Sequence, residues 1–151
     1  MPSVHIPVLT GQVIEWLAPA APGLLVDATV GLGGHAEALL EAAPGFRLLG
    51  VDRDPQAVAT ARRRLESLGR RATVVHLSFD RVPELLVEME LPRPSAILAD
   101  LGCSSLQLDS AERGFSFSVD GPLDMRMGSE GPTAADMVNA ADEDELVKIF
   151  W

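Results

Sequence analysis

The chain has 151 residues, of which 47% are apolar, so it is long enough and apolar enough for one domain with a real core and is not a disordered polypeptide. No apolar run nears the roughly 20 residues needed to cross a bilayer, and MPSVHIPVL lacks the basic region and apolar stretch of a signal peptide. The net charge of −10 is unusual for a protein that grips phosphates, and the single cysteine excludes an internal disulfide. A cytoplasmic protein with no membrane partner and no bound metal is expected.

In chain order, Val8 to Leu17 reads as an amphipathic helix with Val8, Leu9, Val13, Trp16 and Leu17 on one side. Leu24 to Val26 is a short apolar strand that stops at Asp27. Gly31, Gly33 and Gly34 follow as a glycine loop, and His35 to Ala42 has helical composition. Leu48 to Val51 is a second strand, ending at Asp52. Pro55 suits the first turn of a helix that runs to about Leu68. Thr73 to Leu77 is a third strand, ending near Phe79-Asp80. Pro83 to Met89 is expected to be helical, and Ala96 to Ala99 is a fourth strand ending at Asp100. The alternation of strand and helix argues for an α/β fold with a parallel sheet.

Past Asp100 the character changes. Residues 101–131 hold six glycine or proline residues and no clear period, which reads as a long functional loop. Thr133 to Asp136 and Asp142 to Glu145 then look like capped helix starts. Leu146, Val147, Ile149, Phe150 and Trp151 form an apolar end with no polar tail, as expected of the front part of a longer protein.

Residues 24–54 therefore read as strand, glycine loop, helix, strand, with an acid at the end of each strand. That is how a βαβ unit builds a nucleotide site. The loop Gly31-Leu-Gly33-Gly34-His35-Ala36, with Asp52 about 20 residues beyond it, also fits the dinucleotide pattern G-x-G-x-x-A. The loop alone leaves a nicotinamide or flavin enzyme open beside a methyltransferase using S-adenosylmethionine (SAM). Asp27 favours SAM, because a sulfonium and an ammonium tolerate nearby acids and a pyrophosphate does not. Arg62, Arg63, Arg64, Arg70 and Arg71 supply five of the twelve basic residues. They read either as a solvated helix face or as a phosphate contact. Ligands of open α/β sheets lie beyond the carboxyl ends of the strands. Asp27, Asp52, Phe79-Asp80 and Asp100 would ring such a crevice, with Phe79 against an adenine face or else in the core.

Together HIPVL, DATVGLGGH, VDRDP, HLSFD, ADLGCSSLQLD and RGFSFSVDGPLDMRM resemble the bacterial small-subunit ribosomal RNA methyltransferases that modify the N4 amine of a cytosine. The resemblance runs from His5 to Trp151, and its last two motifs are long and specific. It implies a Rossmann-like class I SAM-dependent methyltransferase sheet, incomplete here, and the start of an inserted helical substrate domain. Residues 1–109 would be the SAM-binding part and 110–151 the loop and the start of the insert. It implies a SAM site of Gly33, Gly34, His35, Asp52, Phe79, Asp100 and Gln107, the last resting on the resemblance alone. His35 would act mainly through its backbone at the helix N-terminus, beside the SAM carboxylate. Partners would be the small-subunit RNA or the assembling subunit. A fourth strand left bare by truncation would promote self-association.

The chain departs from the family pattern with Cys103 and Leu106 where valine and proline are expected, and with Val30 and Leu32 where phenylalanine and arginine are usual. Methyl transfer is an in-line displacement that needs an aligned acceptor lone pair. Asp100 is the candidate catalytic group, accepting the N–H hydrogens of an amine whose lone pair is delocalised. The target base must unstack to enter, with Phe115 and Phe117 as candidate stacking groups. Cys103 is the nucleophile of a competing carbon-5 mechanism, although a small packed cysteine is its plainer reading. A non-catalytic fragment that binds SAM or only partners is the other alternative.

Overall fold

The structure is a computed structural model that describes residues 7–150, without the side chains of Ser105 and Leu106. His5 and Ile6 of the first motif, the side chain of Leu106 and the terminal Trp151 lie outside the described residues. The described chain forms two compact units that part between Gly102 and Cys103.

The first unit is a four-stranded parallel sheet. Its strands are β1 (Gly23–Asp27), β2 (Phe46–Asp52), β3 (Ala72–His76) and β4 (Ala96–Leu98), in the order β3-β2-β1-β4. Asp27 pairs with Gly50 and Leu98, and Asp52 pairs with His76, so all four strands end at the same edge. The chain winds outward from β1 to β3 and then crosses back to place β4 on the other side of β1. That reversal opens a crevice at the carboxyl ends of β1 and β4, the usual ligand position in such sheets.

The strands read as unbroken apolar runs because both sheet faces are covered. On one face Leu25, Leu48 and Val74 pack with Leu39 and Leu40 of α2 (Gly34–Ala42) and Val58 and Ala61 of α3 (Pro55–Arg64). On the other face Leu24, Val26 and Leu49 meet Val82, Leu85 and Leu86 of α4 (Val82–Glu88). The α3 helix starts at Asp54, whose carboxylate accepts from the Gln56 N–H, with Pro55 in the first turn. It ends at Arg64, earlier than expected. A 3₁₀ segment over Glu66–Arg71 follows, and within it Gly69 leaves helical geometry.

The opening helix differs from its expected pattern. It is α1 (Thr10–Leu17), because Leu9 sits at φ 56° and so lies outside the helical period. Val13, Ile14 and Leu17 pack on the core, whereas Val8 and Leu9 are exposed and Trp16 is 80% exposed. Val13, Leu17 and Ile14 span about 100° of the helix, and Trp16 lies about 100° from the middle of that arc, so its ring stands in solvent.

The arginine cluster is neither a solvated face nor a phosphate site as a whole. Arg62 donates through Nε and Nη2 to the Val74 carbonyl, and Arg71 donates to the Leu40 and Phe46 carbonyls. Arg64 Nε pairs with Glu37 Oε2 at 2.7 Å, tying α3 to α2. Three of the five thus brace the fold.

The second unit is more ordered than the expected loop. It opens with α5 (Ser105–Asp109), where Ser104 and Gln107 cap each other reciprocally. S-x-x-Q was a legible start signal, but a helix this short shows no period. Arg113 then donates to the Arg126 and Met127 carbonyls, and Arg126 grips Asp124 through two bonds of 2.9 and 2.6 Å. These bonds staple the RGFSFSVDGPLDMRM segment to itself. Gly114, at φ 72°, lies so close to the Pro122 carbonyl that a Cβ would strike it. The expected caps are present: Thr133 and Asp136 start α6 (Ala134–Ala140), and Asp142 accepts from Glu145 N–H ahead of α7 (Glu143–Phe150). Val147, Ile149 and Phe150 are exposed.

Candidate functional site

The site is assembled where β1 meets α2. Asp27 ends β1 and is 1% exposed. Burial, together with the charges of Asp52 and Asp100, raises its carboxyl to about 7, opposed by a bond from the Thr29 N–H. Ala28 N–H donates to the Leu98 carbonyl, and Asp100 N–H donates to Thr29 Oγ1 at 2.7 Å. The segment after β1 therefore fixes the segment after β4. Thr29 is a functional residue that no motif singles out; its only signal in sequence is a hydroxyl two residues past a strand-end acid.

The glycine loop is held from the other side by Asp52. Its Oδ2 accepts from the Gly31 N–H and its Oδ1 from the Asp54 N–H, each at 2.9 Å. A carboxylate offers about four lone-pair directions, so two N–H donors leave room for ribose hydroxyls. Gly33, at φ 80°, is the residue before α2, and a Cβ on it would lie 3.3 Å from the Ala61 Cα. Gly34 begins the helix, and a Cβ there would strike the Pro7 ring. These glycines seat the N-terminus of α2 tightly beside α3, with its first-turn N–H groups directed at the crevice. A carboxylate is favoured at such an end.

Beside the mainly main-chain role expected of His35, its side chain also lies at the site. Its imidazole is buried, and Nε2 lies 3.7 Å from Asp100 Oδ2. Asp100 itself is exposed at the crevice, its side chain 60% accessible. It does not cap a helix; Ser104 does that. Phe79 opens a short 3₁₀ turn beyond β3, beside Asp52, whose carbonyl accepts from the Leu77 N–H. The ring is 51% exposed and so is not a core residue.

The first unit thus brings together Gly33, Gly34, His35, Asp52 and Asp100, with Asp27 beneath them and Phe79 at the β3 side. Gln107 belongs to the second unit. Its amide is buried, with Oε1 accepting from Ser104 N–H and Nε2 donating to the Met127 carbonyl. Cys103 is an exposed thiol. Phe117 is fully exposed and Phe115 partly buried. Among the described residues no group of three His, Cys, Asp or Glu side chains is placed to hold a metal, and no helix is long and apolar enough to cross a membrane.

The crevice is acidic and has a helix N-terminus on one wall. It suits a ligand with both a cation and a carboxylate. It suits a pyrophosphate poorly, since the Asp52 and Asp100 carboxylates lie at it, with Asp27 buried beneath, and Arg62, Arg64 and Arg71 are engaged elsewhere.

The model of the MraW methylase family matches residues 2–151. The chain is 52% identical to the ribosomal RNA small subunit methyltransferase H of Parafrankia sp. (strain EAN1pec), over 99% of this chain and 47% of that protein. It is also 52% identical to the protein of the same name from Thermobifida fusca (strain YX), over 97% of this chain and 46% of that one. The chain spans about half the length of these curated relatives. Among solved structures, the precorrin-6y C5,15-methyltransferase of Geobacter metallireducens GS-15 aligns with 69% of this chain and 54% of its own, at 20% identity and a TM-score of 0.51. The two share the Rossmann-like α/β fold.

Proposed function

Since the chain belongs to the MraW methylase family, we propose that it is the SAM-binding front portion of an enzyme that methylates the N4 amine of a cytosine in small-subunit ribosomal RNA. The observation that carries this reading is the convergence of Asp27, His35, Asp52 and Asp100 at the start of α2, in a chain 52% identical to proteins named ribosomal RNA small subunit methyltransferase H. On this reading the α2 N-terminus, at Gly33, Gly34 and His35, holds the amino-acid carboxylate of SAM. Asp52 accepts from the ribose and Phe79 lies against the adenine. Gln107 is assigned to the cofactor by the family resemblance alone. Residues 110–151 form the entry to a helical substrate domain, and the protein works in the cytoplasm on the RNA or the assembling subunit.

When bound, SAM supplies a methyl on a positive sulfur. Asp100 accepts the N–H hydrogens of the target amine and turns its lone pair towards that methyl. The Asp100 carboxylate would take the proton that the amine sheds on methylation. No cysteine nucleophile is needed, and a Cys103→Ser variant retains methylation on this account.

The test is calorimetric titration of the chain with SAM and, separately, with NAD. Heat with SAM alone, abolished in Asp52→Ala, is expected. Heat with NAD and none with SAM returns the site to the nicotinamide reading. No heat with either ligand from a folded chain supports a non-catalytic module.

A further inference from the structure

We propose that the His35 imidazole is a positioning residue for Asp100, holding that carboxylate in the orientation that receives the target amine. The proposal rests on the methyltransferase reading above, but it concerns a side chain to which that reading gives only a backbone role.

Three observations carry it. The main chain of Asp100 is fixed by its N–H bond to Thr29 Oγ1 and by the neighbouring Ala28-to-Leu98 bond. Those bonds set where the Asp100 Cα lies and leave its two side-chain torsions undetermined. The carboxylate is 60% exposed, so burial does not select a rotamer either. The imidazole of His35 is 9% exposed and stands on the first turn of α2, which Gly33, Gly34 and the Arg64–Glu37 pair lock against α3. Its Nε2 approaches one carboxylate oxygen, Oδ2, at 3.7 Å. That is slightly beyond hydrogen-bond length, as catalytic contacts often are before ligands bind.

The geometry assigns the two oxygens different tasks. Oδ2 accepts from His35 Nε2–H, and Oδ1 is turned to the crevice to accept from the amine. An acceptor misplaced by about 1 Å costs up to a hundredfold in rate. The rigid partner is thus the buried histidine and the working group is the exposed acid. The arrangement also separates two functions of one residue, whose backbone serves the cofactor site while its ring serves Asp100.

The test uses the full chain. Nuclear magnetic resonance follows the titration of the His35 ring in the wild type and in Asp100→Asn. Removing the neighbouring negative charge is expected to lower the midpoint, and an unchanged midpoint overturns the proposal whether or not SAM binds. Calorimetry with SAM then compares His35→Ala and His35→Gln with the wild type. The proposal expects both to bind SAM within about threefold of the wild type, since the backbone is retained. A loss of SAM binding confined to the histidine variants makes the ring a cofactor contact and overturns it. Absence of SAM binding by the wild type instead counts against the SAM site of the reading above, and the resonance comparison then decides the proposal alone. In methyl transfer to ribosomal RNA by the full-length enzyme that carries this portion, His35→Ala is expected to lower kcat about tenfold to a hundredfold with the KM for SAM unchanged. His35→Gln, which keeps an N–H donor, is expected to restore most of that loss. A rise in KM alone overturns the assignment.

Discussion

Replacing Asp27 by asparagine is expected to stabilise the chain, and by an amount that depends on pH. The carboxyl is 1% exposed and titrates near 7, against an ordinary value of 3.8, with burial the largest cause. The folded state therefore binds this proton more tightly than the unfolded state does. Between pH 4 and 7 the unfolded chain holds fewer protons at this position, so stability falls as pH rises. Below pH 4 the carboxyl is protonated in both states and costs nothing. Above 7 it is ionised in both, and the full cost is present. A displacement of about 3 units at 1.36 kcal/mol each gives about 4 kcal/mol. Asparagine fills the same volume, keeps an oxygen for the Thr29 N–H and carries no charge. Urea denaturation followed by circular dichroism at pH 4, 6 and 8 measures the difference. Titrating groups other than Asp52 and Asp100, which are coupled to Asp27, cancel between wild type and variant. Asp27→Asn should be equal in stability at pH 4 and more stable by about 4 kcal/mol at pH 8. A difference that stays constant across pH, or a variant less stable at pH 8, refutes the reasoning.

Two further outcomes follow from the second unit and from the sheet edge. The hold of Arg126 lowers the Asp124 carboxyl to about 2, so the bidentate pair should persist as pH falls until that value is approached. Asp124→Asn should speed amide exchange at Arg126, whose N–H bonds to that carboxylate. Unchanged exchange would show that the loop holds its shape by other means. Strand β4 is the last in the sheet on its side, and Ile97 is 63% exposed there. Light scattering should therefore show self-association that grows with concentration, weakened in Ile97→Lys. A monomer at high concentration removes the edge as a cause of association.

Much of the sheet was legible because β1 and β2 are short apolar runs that end on an acid and the β4 run is soon followed by Asp100, whereas β3 ends at His76. That pattern reports two covered faces and a polar carboxyl end together, which is why Asp27, Asp52 and Asp100 stood out without any structure. The misplacement of Val8 and Leu9 had a local origin. Apolar residues were counted into a helical face from Val8 on, but Leu9 breaks the period with a left-handed backbone that its sequence does not announce. Arginines on a helix look alike in sequence, and only the fold reveals that Arg62 and Arg71 reach backbone carbonyls. The contact between His35 and Asp100 joins residues 65 positions apart and depends on the return of β4 to the side of β1. No local pattern encodes that distance. Gln107 shows the reverse case: the capping signal S-x-x-Q was readable, but glycine and proline content had marked the whole segment as loop.

The two bonds from Asp52 to the Gly31 and Asp54 amides have a kinetic meaning. A glycine-rich turn left to itself samples many backbone states, and a ligand that selects one of them loses affinity in proportion to its rarity. Here the selection is made when β2 joins the sheet, before any ligand arrives. Association should then be limited by encounter rather than by loop rearrangement. The Gly31 amide should also be nearly as protected from exchange in the free chain as in the bound one.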